Sequence, residues 1–219
     1  MGNLVFLEPS SIKAIPFTTS KVISDFTGVG HRHIKKQIYL HKSSLETFGL
    51  LVAHETESTG GRPEEITLLN EQQATLLITF LKNTPTVVAF KTELVDQFYR
   101  MRTELQKRQM GKLILKPTRR TLTDEIKENP KHGKWDYKLF TDLSYKTTLG
   151  KVASTIRKER GASKKDVALD YMTADELELV ESVTNKIAVL YEMDLDYYQI
   201  KDMLQKSQKK ANDRLVGGR

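Results

Sequence analysis

The 219-residue chain contains no cysteine. Without cysteine it has no disulfide, no thiolate metal ligand and no thiol nucleophile, which is typical of a reducing compartment. It also lacks any run of about eighteen apolar residues, and its first segment has no basic stretch followed by an apolar one. We therefore expect no signal peptide, no membrane span or other membrane partner, and a cytoplasmic location.

Acidic residues are fewer than basic ones, so the formal net charge is +7. The basic excess is concentrated in two segments: residues 1–50 have 6 Lys and Arg against 3 Asp and Glu, and residues 101–150 have 12 against 6. A concentrated excess indicates a polyanionic partner, although a solvated surface has the same composition. With 38% hydrophobic and 29% charged residues, the chain is predicted to be folded.

Two short helices joined by glycines are predicted near the N-terminus. Residues 18–28 offer hydroxyl capping groups before an apolar set and end on glycine. A second helix, about His31–Leu45, has Ile34 and Ile38 on one face and hydrogen-bond donors on the other. This pattern predicts a helix-turn-helix with Arg32–Ser43 on the recognition helix. The candidate DNA contacts on it are His31, Arg32, His33, Lys35, Lys36, Tyr39, Lys42 and Ser43.

A β-hairpin is predicted directly after this pair of helices. Strand-like runs at 49–56 and 65–69 flank a loop of turn-forming residues. A hairpin in this place makes the module a winged helix-turn-helix, and Arg62 in its loop is a further candidate for contact with a phosphate or the minor groove. His31 has a second interpretation, as a cap of the recognition helix.

The rest of the chain is predicted to be helical, apart from Leu4–Leu7, which is predicted to be a short strand or an edge segment. Asn70 and Gln73 resemble a capping box for a helix through Leu81. A second helix from Thr84 to about Gln109 has an apolar seam that can pack on its own module or on a second copy. Further helices are predicted at 122–128, 137–149, 151–160, 174–193 and 197–209.

A glycine and a proline interrupt the helical periodicity in Gly111–Arg120, where we place a domain boundary. The predicted domains are 1–110, a winged helix-turn-helix with a long C-terminal helix, and 111–213, an all-helical domain, followed by a tail at 214–219. The predicted fold class is mainly α with a small β-hairpin.

A second basic surface is a candidate in the later half, where aromatic residues alternate with cations. Basic residues among aromatic ones can grip nucleic acid, whereas a solvated face with a core tryptophan has the same pattern. Both interpretations stay open. The candidate residues are Arg119, Arg120, Lys134, Arg157 and Lys158.

The chain resembles the phage regulatory protein Rha family. The resemblance depends on the run from Thr19 through Gly28, His31, Ile34 and Ile38, the hairpin, Leu69–Gln73, Phe90-Lys91 and Phe98 ahead of Met101. In the second half, Lys138–Leu143, Lys146, Leu149–Lys151, Ile156–Gly161 and Asp170–Thr173 resemble a domain often attached to such regulators and to phage antirepressors. The resemblance implies a temperate-phage or prophage regulator of transcription in the cytoplasm of a bacterial host.

Two functions stay open from the sequence. The first is a regulator that binds double-stranded DNA, and the alternative is an antirepressor that sequesters a phage repressor protein. A homodimer is compatible with both. We expect no enzyme and no cofactor, because no nucleophile–base constellation, phosphate-binding glycine loop or zinc spacing occurs. The acidic residues Glu192, Asp194 and Asp196 are attributed to helix capping rather than to a metal.

Overall fold

The computed structural model describes residues 2–55, 64–131 and 133–216. The chain divides into two compact units, one of Met1–Glu8 and Lys13–Thr103 and one of Pro9–Ile12 and Glu104–Arg219. The structure is mainly helical with one small sheet, which confirms the predicted fold class at that level. Among the helices of the described ranges, none combines the length and the apolarity that a bilayer crossing requires.

The first unit contains a three-stranded antiparallel sheet in the order β1-β3-β2. Its strands are β1 (Phe17–Thr19), β2 (Val52–Glu55) and β3 (Glu65–Asn70). The predicted hairpin is confirmed, since Val52 pairs with Leu68 in an antiparallel register. The strand β1 was not predicted, because three residues are too few to establish an alternating pattern.

Of the two alternatives for Leu4–Leu7, the regular strand does not form. Phe6 pairs with Phe17 in an isolated antiparallel bridge at β1, which agrees with the alternative of an edge segment. Leu4 and Val5 instead enter the core, and their N–H groups donate to the Gln97 Oε1 at 2.7 and 3.3 Å. A side-chain acceptor thus replaces the strand ladder for these two buried residues.

Three helices lie between β1 and β2 in the chain: α1 (Ser20–Thr27), α2 (His31–Leu40) and α3 (Lys42–Glu46). Thr19 caps α1 by accepting a hydrogen bond from the Val22 N–H. Gly28 ends α1 in the left-handed conformation at φ 71°, which a glycine adopts without steric cost. Both ends of α1 therefore follow from the sequence.

The single helix predicted over His31–Leu45 is wrong, because the structure divides it at His41. His41 has φ −110° and ψ 22°, outside the helical region, and its ring stacks on Phe80 with centroids 3.7 Å apart. The break lets the apolar residues on both sides stay buried, Ile38 on α2 and Leu45 on α3.

The core of the first unit is closed by α4 (Glu71–Thr79) and by the beginning of α5 (Pro85–Glu128). The predicted capping box is confirmed: Asn70 accepts from the Gln73 N–H, and Gln73 accepts from the Asn70 N–H. The buried Gln73 also donates to the Gly49 carbonyl at 2.6 Å, which fixes the chain ahead of β2. The predicted seam Val87–Leu105 has most of its residues in this core, Val87, Phe90, Leu94 and Phe98 among them.

Helix α5 continues to Glu128, so the predicted helix end at Gln109 and the interruption at Gly111–Arg120 are wrong. Gly111 has a packing role instead, because a Cβ there would lie 3.2 Å from the Cβ of Leu177. Pro117 is exposed inside the helix, while Leu115 and Leu122 on either side of it are buried. Burial of this face offsets the local cost of the two residues in a helix interior, about 1 kcal/mol for glycine and about 3 kcal/mol for proline. The domain limits 1–110 and 111–213 stay predictions.

In the second unit, α6 (Asp136–Leu149), α7 (Ala153–Glu159), α8 (Ala174–Glu192) and α9 (Tyr197–Val216) pack with the end of α5. Short 3-10 helices occupy Gly133–Trp135 and Ala168–Tyr171. Thr173 and Glu176 form a capping box at the start of α8, and α9 extends beyond the predicted end at about Lys209. Residues 217–219 of the predicted tail 214–219 lie outside the described ranges.

We expect Gly28→Ala to lower the free energy of unfolding by about 1 kcal/mol, because an L residue is strained at the left-handed φ of this position. Gly30→Ala is the matched control, since Gly30 has φ −53° and open space around its Cα. Urea unfolding measures both. Equal losses of stability in the two variants would contradict the proposed cap.

Candidate nucleic-acid interface

The outer face of α2 carries the side chains that the sequence predicted for DNA contact. Arg32, His33, Lys36 and Tyr39 are exposed, and Tyr39 has 79% of its surface accessible. On the opposite face, Ile34 and Ile38 are buried in the core. Neither Arg32 nor Lys36 forms an ion pair within the described ranges, so both cations face solvent.

A groove separates α2 and α3 from the inner face of the sheet, with a cavity volume of about 300 Å³. Lys35 is half-buried at its edge, with its Nζ 3.9 Å from the Glu65 Oε2. The residues that line the groove are Lys35, Ile38, Tyr39, Lys42, Leu51, Ala53, Glu65 and Thr67. The helix and the hairpin thus form two walls of one concave surface.

His31 differs from the other candidates, because only 8% of its side chain is exposed. Its Nδ1 lies 2.5 Å from the Glu64 Oε1, and its Nε2 lies 2.9 Å from the Ser20 Oγ. A carboxylate can only accept, so Nδ1 carries the hydrogen. Both ring nitrogens are therefore bonded within the protein. No side chain among the described residues caps the start of α2, so His31 links this helix to Ser20 and Glu64 rather than capping it.

Ser20 and Glu64 connect this histidine to the sheet. The Ser20 Oγ accepts a hydrogen bond of 3.0 Å from the backbone N–H of Thr67 in β3, and Ser20 is fully buried. These hydrogen bonds thus connect the first residue of α1, the first residue of α2 and the hairpin. The three side chains are here called the Ser20–His31–Glu64 network. The contacts of Ser20 and Glu64 with His31 were not predicted from the sequence, because no local pattern indicates contacts between residues so distant in the chain.

The Ser20–His31–Glu64 network lies in a positive environment. The pKa of Glu64 is below its usual range, chiefly because His31 donates a hydrogen bond to its carboxylate, with smaller contributions from the nearby charges of Lys21 and Lys35. A lowered pKa in the folded state means that this contact stabilises the fold at neutral pH and is lost as the pH falls through the folded pKa.

The turn between α1 and α2 is fixed by two hydroxyl groups. Thr27 donates to the Ile23 carbonyl at 2.5 Å and accepts from the Val29 N–H at 3.2 Å. Ser24 donates to the Val29 carbonyl at 2.8 Å. The bonds to the N–H and the carbonyl of Val29 satisfy backbone groups of the turn, whereas the bond to Ile23 ties the Thr27 hydroxyl to its own helix.

The remaining candidates for DNA contact are Lys42, Ser43 and Arg62, and none of them is part of α2. Lys42 and Ser43 are exposed but belong to α3, after the break at His41, and the Lys42 Nζ lies 3.8 Å from the Glu46 Oε1. Arg62 lies outside the described ranges. Their contact with DNA stays a prediction.

The second basic surface is not uniform in its exposure. Arg119 is half-buried, and its guanidinium donates to the hydroxyl oxygens of Tyr145 and Thr141. The side chain of Arg120 is 83% exposed and lies 3.7 Å from Asp124. Lys158 is exposed, Arg157 is half-buried, and the side chain of Lys134 is outside the described part of the chain. Trp135, considered above as a core residue, is 60% exposed.

Of the three acidic residues near the start of α9, Asp196 has the predicted capping role. Asp196 accepts a hydrogen bond of 2.9 Å from the Gln199 N–H, and Gln199 accepts from the Asp196 N–H. Asp194 pairs with Lys131 at 3.0 Å. Within the described ranges, no three His, Asp or Glu residues cluster in a way that can hold a metal.

We expect Ser20→Ala to lower the free energy of unfolding by about 2 kcal/mol, because the buried N–H of Thr67 and the Nε2 of His31 both lose their partner. The control is Ser43→Ala at an exposed position, with an expected change within about 0.5 kcal/mol. Chemical denaturation of both variants is the measurement. Wild-type stability in Ser20→Ala would show that the network does not hold the module.

A sequence model of the phage regulatory protein Rha family matches residues 18–103. The matched segment contains the three strands, the helices α1 to α4 and the beginning of α5. No curated protein matches the chain. The resemblance predicted from the sequence is confirmed over this segment. Residues 18–103 of the chain are thus similar to the phage regulatory protein Rha family.

Proposed function

We propose that this protein is a phage or prophage regulator of transcription that binds double-stranded DNA through a winged helix-turn-helix. In this proposal α1 and α2 form the helix-turn-helix, α2 enters the major groove, and the hairpin of β2 and β3 is the wing. The protein acts by binding and carries out no reaction. The match of residues 18–103 to the model of the Rha family supports the broader role of a phage regulator.

The exposed face of α2 is the observation that carries this proposal. Residues His31–Leu40 include three Lys and Arg residues and no Asp or Glu. A major groove accepts one α-helix, and its base edges and flanking phosphates accept hydrogen bonds from such side chains. Because Arg32 and Lys36 form no ion pair within the described ranges, binding DNA would not require breaking one.

The arrangement of the sheet supports the assignment of a wing. The strand β3 pairs with both β1 and β2, and the helix pair is inserted between β1 and β2 in the chain. Glu64, at the start of β3, is bonded to the first residue of α2. The hairpin is therefore held beside the N-terminal end of α2, where a wing contacts the backbone of the same duplex.

One observation favours the alternative of a protein-binding antirepressor. The strand β2 is at the edge of the sheet, and it is preceded by Leu50, which is 82% exposed, and begins with Val52, which is 48% exposed. An exposed apolar edge can pair with a strand of another protein. In that case the partner would be a phage repressor, and α2 would serve as a scaffold.

We expect the double variant Arg32→Ala, Lys36→Ala to bind DNA about 30-fold more weakly, or ~2 kcal/mol, because it loses two donors to base edges or phosphates. The probe is a duplex selected by the wild-type chain from a randomised pool, and a gel shift measures the affinity. The control, Lys82→Ala with Lys107→Ala, removes the same charge at two exposed lysines outside the helix-turn-helix. Equal affinity of the two double variants would contradict the role of α2.

A salt titration of the same complexes separates DNA binding from the alternative. Contacts with phosphates make the logarithm of the binding constant fall linearly with the logarithm of the salt concentration, by about 0.9 for each phosphate. The variant in α2 should have a shallower slope than the wild type. Failure of the wild-type chain to select any duplex at low salt, together with retention of a repressor protein, would favour the antirepressor.

A further inference from the structure

The second unit contains a cavity of about 200 Å³ that the proposed DNA contacts do not use. It lies between α5, α6 and α8. Part of its wall is apolar and is formed by Leu122, Ile126, Phe140 and Val180, which are all buried. The other part carries Arg119 and several hydroxyl groups. A cavity with an apolar body and a few convergent polar groups is the usual form of a small-molecule site.

Arg119 is the cation of this cavity. Its Nη1 donates to the hydroxyl oxygen of Tyr145 at 3.2 Å, and its Nη2 donates to the Thr141 Oγ1 at 3.5 Å. No carboxylate lies within ion-pair distance of it in the part of the chain that the structure describes. A guanidinium that is half-buried among neutral partners has lost hydration without gaining a counter-charge, and an anion would compensate this cost.

The two partners of Arg119 leave their own hydrogens available. Burial raises the pKa of Tyr145 above its ordinary value of 10.0, so the phenol is neutral at physiological pH. Tyr145 and Thr141 each accept a hydrogen bond from Arg119, and each hydroxyl can still donate one. One cation and two hydroxyl donors are thus grouped at one end of the cavity, and this is the donor set that an oxyanion requires.

Ser144 and Thr184 form a second, separate polar pair in the wall. Their hydroxyl oxygens are 2.9 Å apart, and Thr184 donates to the Val180 carbonyl at 2.6 Å. Both residues are buried. Because their hydrogens are used within the protein, they add no donor for an anion, and the binding group of a ligand must lie at the Arg119 end.

We propose that this cavity binds a small monocarboxylate with an apolar body. The carboxylate would accept hydrogen bonds from Arg119, Tyr145 and Thr141, and the apolar body would pack against Leu122, Ile126 and Phe140. A single cation balances one negative charge, so a phosphate dianion would leave a buried charge unpaired. The volume is below that of pockets for drug-sized ligands, which limits the ligand to a molecule of about the size of benzoate.

The experiment measures binding to the full chain by calorimetry and by thermal unfolding. The probes are benzoate and butyrate, and the comparison compounds are benzyl alcohol, which has the shape of benzoate but no charge, and inorganic phosphate. We expect a saturable response to at least one carboxylate, with a rise in Tm, and affinity at least tenfold weaker for benzyl alcohol and for phosphate.

The matched variants are Arg119→Met and Arg120→Met. The first removes the cation of the cavity, whereas the second removes a neighbouring cation that is 83% exposed. We expect carboxylate affinity to fall at least tenfold in Arg119→Met and to stay unchanged in Arg120→Met. Thr141→Val keeps the cation and tests the same site if Arg119→Met does not fold, with an expected loss of about threefold, as for one modest hydrogen bond.

Three outcomes would overturn the proposal. The first is that neither benzoate nor butyrate gives a saturable response with the wild-type chain. The second is that benzyl alcohol or phosphate binds as tightly as the carboxylates. The third is that a folded Arg119→Met variant, or Thr141→Val in its place, keeps full carboxylate affinity. These measurements contain no DNA, so they are independent of the function proposed for α2.

Discussion

The buried hydroxyl of Ser20 is the constraint on which the arrangement of α1, α2 and the hairpin depends. It accepts the N–H of Thr67 in β3 and lies 2.9 Å from the imidazole of His31, which in turn bonds Glu64. One small group of side chains therefore defines where α1 begins, where α2 begins and where the hairpin lies. The exposed cations of α2 keep their position beside the hairpin only while these contacts persist, and this links the burial of one hydroxyl to the proposed recognition of DNA.

Local signals in the sequence were sufficient for most of the helices. Hydroxyl caps, capping boxes and the left-handed Gly28 are contacts between near neighbours in the chain, so residue type and spacing predict them. The hairpin was also predicted, since its strands are close in sequence. The division of the helix at His41 was not, because the stacking partner Phe80 is distant in the chain.

The error in α5 and the unforeseen partial burial of Arg119 have the same physical origin. Gly111 and Pro117 weaken a helix locally, yet burial of Leu115 and Leu122 maintains it, and the burial of a face cannot be derived from propensity. Arg119 was grouped with exposed cations by its neighbours in the sequence, whereas its guanidinium lines a cavity. Likewise His31 was considered for DNA contact by its position on α2, although its ring is occupied by Ser20 and Glu64.

The central proposal is that the exposed face of α2 lies in the major groove, and methylation interference on a selected duplex tests it most directly. Methylation of guanine N7 blocks contacts in the major groove, whereas methylation of adenine N3 blocks contacts in the minor groove. The account predicts that N7 methylation at guanines within the bound site abolishes binding by the wild-type chain. Interference at adenine N3 alone, with full tolerance of N7 methylation, would contradict it.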